Sequence, residues 1–149
     1  MGRSVKVEIN GDKELKRKLE LLGAKARAAL LDAARAGAEE IEREADNLAP
    51  EPHVHVGDEK VDGGTAEVSI GPDDAHWYYR FFEFGATRHE IKGNPLVFEG
   101  ENGLIVTRRV NHPGMPARPF LRPAADTRKE AAVKRVGETF RREIDKLVE

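Results

Sequence analysis

Val5, Val7 and Ile9 alternate with Lys6 and Glu8, the period-two pattern of a strand with one buried face. Asn10-Gly11 then supplies a tight turn, and Asp12 is placed to cap a helix. From there the period lengthens. Leu15, Leu19, Leu22, Ala26, Leu30, Ala33, Gly37, Ile41, Ala45 and Leu48 recur in steps of three and four, one stripe of a long helix. Gly23 leaves the phase of the stripe unchanged, which predicts one kinked helix rather than two. Many stripe positions are Ala or Gly, so a second backbone is expected to approach closely. Pro50 and Pro52 end the pattern.

Alternation returns in His53-Val54-His55-Val56 and again in Ala66, Val68 and Ile70, with Gly63-Gly64 between them, which predicts a hairpin. A second hairpin is expected in Pro95–Val110. A four-residue loop, Gly100 to Gly103, sets Phe98 opposite Ile105 and Val97 opposite Val106, matching apolar with apolar. The final helix is expected to open near Pro123, with Ala125, Ala132, Val136, Phe140, Ile144 and Leu147 as its apolar stripe. The order predicts an α+β fold: an antiparallel β-sheet packed by a long N-terminal helix and a C-terminal helix, with a protruding β-hairpin at about residues 91–112. At 149 residues the chain is expected to form a single domain over 1–149.

Between the hairpins lies "HWYYRFFEFGATRHE", His76–Glu90. It holds Trp77, Tyr78, Tyr79, Phe81, Phe82 and Phe84, most of the aromatic residues in the chain. Asp73 and Asp74 could cap the run as a short helix ending at Gly85, with a strand as the competing reading. At about 150–250 Å² each, six rings carry roughly 1,000 Å² of surface. Consecutive aromatics point to more than one face of either element, so a single intramolecular surface cannot absorb all of them. Some rings are therefore expected to meet another copy of the protein or a partner. Glu83 sits among them, where an unpaired carboxylate would be costly. Arg80, Arg88, Arg118 and Arg122 are its candidate partners.

Composition narrows the chemistry. Basic residues number 25 and acidic residues 27, a formal net charge of -2, so no global basic field for nucleic acid is expected. With no cysteine, disulfides, thiolate metal sites and cysteine nucleophiles are excluded. The opening "MGRSVKVEINGDKEL" lacks the apolar core of a signal peptide, and no apolar run approaches the ~20 residues of a membrane span. A protein folded without export is expected. Ser4 and Ser69 have no nucleophile-elbow context, and no phosphate-binding loop precedes a helix. His53 and His55 would share one strand face, with His89 or His112 able to join them, but no compact third ligand at recognised spacing stands beside them. The expectation is no catalytic residue, no metal and no cofactor.

"RFFEFGATRHEI", followed by "NHPGMPARPFLRPAAD", resembles the paired signature of the gene-product-ten-like neck and tail-completion proteins of long-tailed bacteriophages. The matching positions are Phe82-Glu83-Phe84-Gly85 and Pro116–Ala124, and the helix end "NLAP" at Asn47–Pro50 also fits. Ala86 separates Gly85 from Thr87 where the family often has Thr directly after the glycine. "EPHVHVGDEK" also differs from the family's Thr-Gly-x-Leu stretch.

The resemblance implies a non-enzymatic virion structural protein, a head–tail connector that forms a homo-oligomeric ring in the neck or tail. Its location would be the virion, and the host cytoplasm during assembly. The partners implied are further copies of itself, head–tail adaptor or stopper proteins and tail tube proteins. No membrane and no specific nucleic-acid binding is expected, although DNA could pass through the ring. Interface residues expected on this reading are Trp77, Tyr78, Phe81, Phe82, Glu83, Phe84, Gly85, Arg118, Pro119, Phe120, Leu121 and Arg122. Fixed proline φ angles at Pro116, Pro119 and Pro123 would preset Phe120 and Leu121 as anchors. The alternatives are a minor tail or tail-terminator protein, or a small metal-dependent enzyme using His53, His55 and His112.

Overall fold

A computed structural model describes residues 12–148, so the expected strand over Val5–Ile9 lies outside the described residues. The order is α1 (Asp12–Leu48), β1 (Val54–Asp62), β2 (Thr65–Pro72), a 3-10 turn (Asp74–His76), α2 (Tyr79–Phe84), β3 (His89–Gly100), β4 (Gly103–His112) and α3 (Leu121–Val148). This is the expected α+β arrangement. Among the described residues the strands form two separate two-stranded antiparallel sheets, β1–β2 and β3–β4.

Contacts divide the described chain into two compact units. The first takes in the α1 residues through Ile41, Val56–Ile70 and the α3 residues from Arg128; the second takes in Glu42–His55 and Gly71–Thr127. Each of α1, β1, β2 and α3 contributes residues to both.

In the first unit α1 is a single continuous helix across Gly23. Its buried positions there are Ala29, Ala33, Gly37 and Ala38, all small. A Cβ built on Gly37 would lie 2.5 Å from Val136 Cγ2 and 3.2 Å from the Ala132 carbonyl, so the backbone of α3 does approach where the Ala/Gly stripe predicts. Along α3 the inward face runs through Ala132, Val136 and Thr139. Phe140, expected in the stripe, is exposed instead. Steps of seven and eight both suit a 3.6-residue period, and the smaller side chain took the crowded side. Arg35 grips Glu59 of β1 with two hydrogen bonds, Nε to Oε1 and Nη2 to Oε2, each 2.6 Å.

The second unit carries the β3–β4 hairpin. Its register sets Phe98 opposite Ile105, Val97 opposite Val106 and Gly100 opposite Gly103, as the apolar matching predicts. The strands reach further than expected, to a His89–His112 pair, with a register shift between Lys92 and Leu96. Pro95 falls within that interruption and has no N–H to give the ladder.

Candidate functional site

The aromatic run is helical. Asp73 caps its start: the carboxylate accepts the His76 N–H at 3.0 Å, and one 3-10 turn leads into α2. The hydrogen bond from His76 holds the Asp73 carboxyl below the usual carboxylate range, against a smaller upward push from burial. At the other end the Gly85 N–H donates to the Phe81 carbonyl at 2.8 Å, and Gly85 turns at φ 72°. A Cβ on Gly85 would meet the Ala117 nitrogen and the Met115 oxygen, both at 2.9 Å, so glycine is required for conformation and for space. Ala86 and Met115 exchange two backbone hydrogen bonds of 2.9 Å, and the Arg118 N–H donates to the Phe82 carbonyl at 2.6 Å. These bonds lay the proline-rich segment along the end of α2.

Helical geometry sorts the rings. Tyr79 is 2% exposed and packs edge-on against Phe82 and Phe120, with centroids 5.8 and 5.9 Å away. Its hydroxyl donates to the Glu51 carbonyl at 3.3 Å, and burial raises its pKa. Glu83 lies one helical turn on and is also buried. On the outer side Trp77, Phe81 and Phe84 follow at steps of four and three. Trp77 is 59% exposed and Phe84 72%, and Tyr78 is exposed too. Arg80 lies over this face, its guanidinium carbon 5.4 Å from the Trp77 ring centre and 4.9 Å from that of Phe81.

Glu83 does not rely on an arginine side chain as its hydrogen-bonding partner. Its carboxylate accepts three backbone N–H bonds at the start of α3: Phe120 at 2.7 Å, Leu121 at 2.9 Å and Arg122 at 3.1 Å. A helix leaves its first four N–H groups without intrahelical partners. Here three go to Glu83, and the fourth position is Pro123, which has no N–H. The first intrahelical bond follows, from the Ala124 N–H to the Phe120 carbonyl at 3.2 Å. The N-terminus of α3 is therefore fully satisfied by one side chain from α2. This explains why α3 opens at Leu121, two residues before the expected start near Pro123. Burial pushes the Glu83 carboxyl up, but the three N–H donors and the Arg122 charge outweigh it and hold the carboxyl below its ordinary value.

Of the expected interface residues, Glu83 and Phe120 are thus interior groups of their own unit. Phe120, at 1% exposed, anchors its own chain rather than a neighbour. Phe81, Phe82, Gly85 and Leu121 are half-buried, while Trp77, Tyr78, Phe84, Arg118, Pro119 and Arg122 are exposed. The expected list lacked the hairpin's side chains. Val97, Phe98, Leu104, Ile105 and Val106 are exposed across both strands. The apolar pairs that set the register carried the signal, because unusually long apolar runs on a hairpin leave side chains uncovered.

The histidines separate into two groups. His112 stacks on His89, its partner in the β3–β4 ladder, with centroids 5.0 Å apart. It therefore does not join His53 and His55; Asp73 does. Comparison with protein-family models, with curated proteins and with solved structures finds no match for this chain. Among the described residues, no helix is long and apolar enough to cross a membrane.

Proposed function

We propose that this protein is a non-enzymatic structural component of a phage or prophage virion, a neck or tail-completion protein that joins head to tail by forming a homo-oligomeric ring. The observation that carries the proposal is the split within Phe82-Glu83-Phe84-Gly85. Glu83 locks the proline-rich segment to α2, and its neighbour Phe84 is held out in solvent, as is Trp77. The segment on which the phage resemblance rests is thus internally rigid and outwardly apolar. A second exposed set lies in the other unit, with Leu15, Leu19, Leu21 and Leu22 on α1. A closed ring needs two different, complementary patches on each subunit, and on this reading these two sets are those patches. Contiguous apolar surface beyond a few hundred Å² marks an interaction site. On this reading the β3–β4 hairpin reaches the adaptor, stopper or tail tube protein. The protein acts in the virion neck or tail after assembly in the host cytoplasm.

The test is sedimentation and negative-stain microscopy of the full chain, alone and mixed with the adaptor, stopper and tail tube proteins encoded beside its gene. Rings, or co-sedimentation with one of those proteins, are expected for the wild type. Phe84→Ala should weaken them while leaving the circular dichroism spectrum unchanged. A wild-type monomer that binds none of the three proteins, or a Phe84→Ala variant that assembles as well as the wild type, would overturn the proposal.

A further inference from the structure

At the open end of the β1–β2 hairpin, next to the start of the aromatic run, lies a second constellation. His53 and His55 flank Val54, which is buried and whose N–H is held by Asp46 Oδ1 at 3.0 Å. A strand's period of two sends both imidazoles to the face away from Val54. Asp73 arrives directly after β2 and is tied in place by its own N–H, which donates to the His53 carbonyl at 3.3 Å. Two segments distant in sequence are thereby fastened side by side. Ligand atoms of His53, His55 and Asp73 all fall within 4.8 Å of one another.

The surrounding groups reinforce the cluster. His55 turns Nε2 toward Asp73 Oδ2 at 4.0 Å and Nδ1 toward Glu42 Oε1 at 3.9 Å. His76 stacks on His53 with centroids 3.7 Å apart and planes 12° from parallel. Its Nδ1 lies 2.5 Å from Asp73 Oδ1, which leaves the other oxygen of Asp73 facing His55. A ligating imidazole commonly places its second nitrogen against a carboxylate, and a ligating carboxylate is commonly hydrogen-bonded in turn. Glu42 and His76 stand where such outer supports would stand.

We propose that His53, His55 and Asp73 form a binding site for a divalent transition-metal ion of the zinc, cobalt and nickel class. Two imidazoles and one carboxylate suit these borderline ions, whereas magnesium and calcium prefer all-oxygen sites. Tetrahedral zinc with bonds of about 2.0–2.1 Å needs donors about 3.4 Å apart. The three donors lie within 4.8 Å of one another on exposed or half-buried side chains, so binding requires those side chains to rotate inward. The bound ion acts as a clip, joining the entry to β1 to the exit from β2. Because Asp73 also caps the turn that leads into the aromatic run, the clip fixes where Trp77 and Tyr78 begin. This proposal is independent of the virion reading.

Untagged full-length protein, stripped with chelator, is titrated calorimetrically with zinc chloride and separately with magnesium chloride, and its melting is followed in each. One zinc per chain is expected, with Tm raised by roughly 5–10 °C at a hundredfold excess over Kd. Magnesium should have no effect. His55→Ala, at an exposed position, should weaken zinc binding at least about tenfold while the metal-free variant melts with the wild type. His112→Ala should titrate as the wild type. Absence of saturable zinc binding, an equal response to magnesium, or a His55→Ala titration matching the wild type would each overturn the site.

Discussion

At the junction of α2 and α3, Tyr79 and Phe120 close on one another and Glu83 leaves no helix-end N–H unpaired. Along the β3–β4 hairpin of the same unit, Leu104 is 71% exposed and Val106 61%. Both regions are rich in large apolar side chains, so hydrophobicity alone does not distinguish them. The difference is in what the backbone needs. The N-terminus of α3 requires partners, and meeting that requirement draws the neighbouring rings inward. A two-stranded hairpin pairs each strand along one edge only and asks no side chain to cap it, so its side chains are not drawn into a core. At the capped start of α3 the rings of Tyr79 and Phe120 are therefore buried, whereas the hairpin's Leu104 and Val106, like Trp77 and Phe84 on the outer side of α2, are left exposed.

The sharpest break of this contrast is Phe120→Ala. Removing a fully buried ring should cost about 3–5 kcal/mol, read from urea unfolding followed by circular dichroism. A loss below about 1 kcal/mol would mean that the junction is no core. Next comes Glu83→Ala, which strands three N–H groups and should cost about 2–4 kcal/mol in the same measurement. Glu83→Gln keeps an acceptor without the charge and should cost roughly half as much.

The pH dependence follows from the direction of the Glu83 shift. A carboxyl held below its ordinary value in the folded state stabilises the protein above the unfolded pKa of about 4.3. That contribution should fade as pH falls from there through the depressed folded value. Melting temperatures measured between pH 6 and pH 3 should accordingly fall more steeply for the wild type than for Glu83→Gln, with parallel curves counting against the cap.

Gly85→Ala tests the turn that separates the buried from the exposed rings. Left-handed φ and a backbone 2.9 Å from the new methyl group should together cost about 1–3 kcal/mol. The smallest effect on stability is expected at the hairpin. Leu104→Ser with Val106→Ser should change unfolding free energy by no more than about 0.5 kcal/mol. The same pair should reduce co-sedimentation with the adaptor or tail tube protein on the proposed reading. A large stability loss there would show that the hairpin face is covered within the chain.

Local signals in the sequence carried a good part of the fold. Asp73 and Gly85 bracket the aromatic helix because capping and left-handed turning depend on a residue and its near neighbours. The pairing of Phe98 with Ile105 was legible because a strand alternates strictly, and a slip of one residue would misplace every side chain. The Ala/Gly stripe of α1 foretold that a second backbone would pass closely, and at Gly37 that backbone is α3.

What only the tertiary structure decided was which long-range partner each polar group takes. Glu83 meets donors 37 to 39 residues away that are backbone N–H groups, and backbone carries no residue-type signal. The same holds for Asp73, which lies beside His53 and His55 only because β1 and β2 pair and bring their outer ends together. Periodicity and turn chemistry act over a few residues and so can be read along the chain. The closing of distant segments depends on how whole elements pack, and there the burial of Phe120 and the gathering of two histidines with an aspartate were settled.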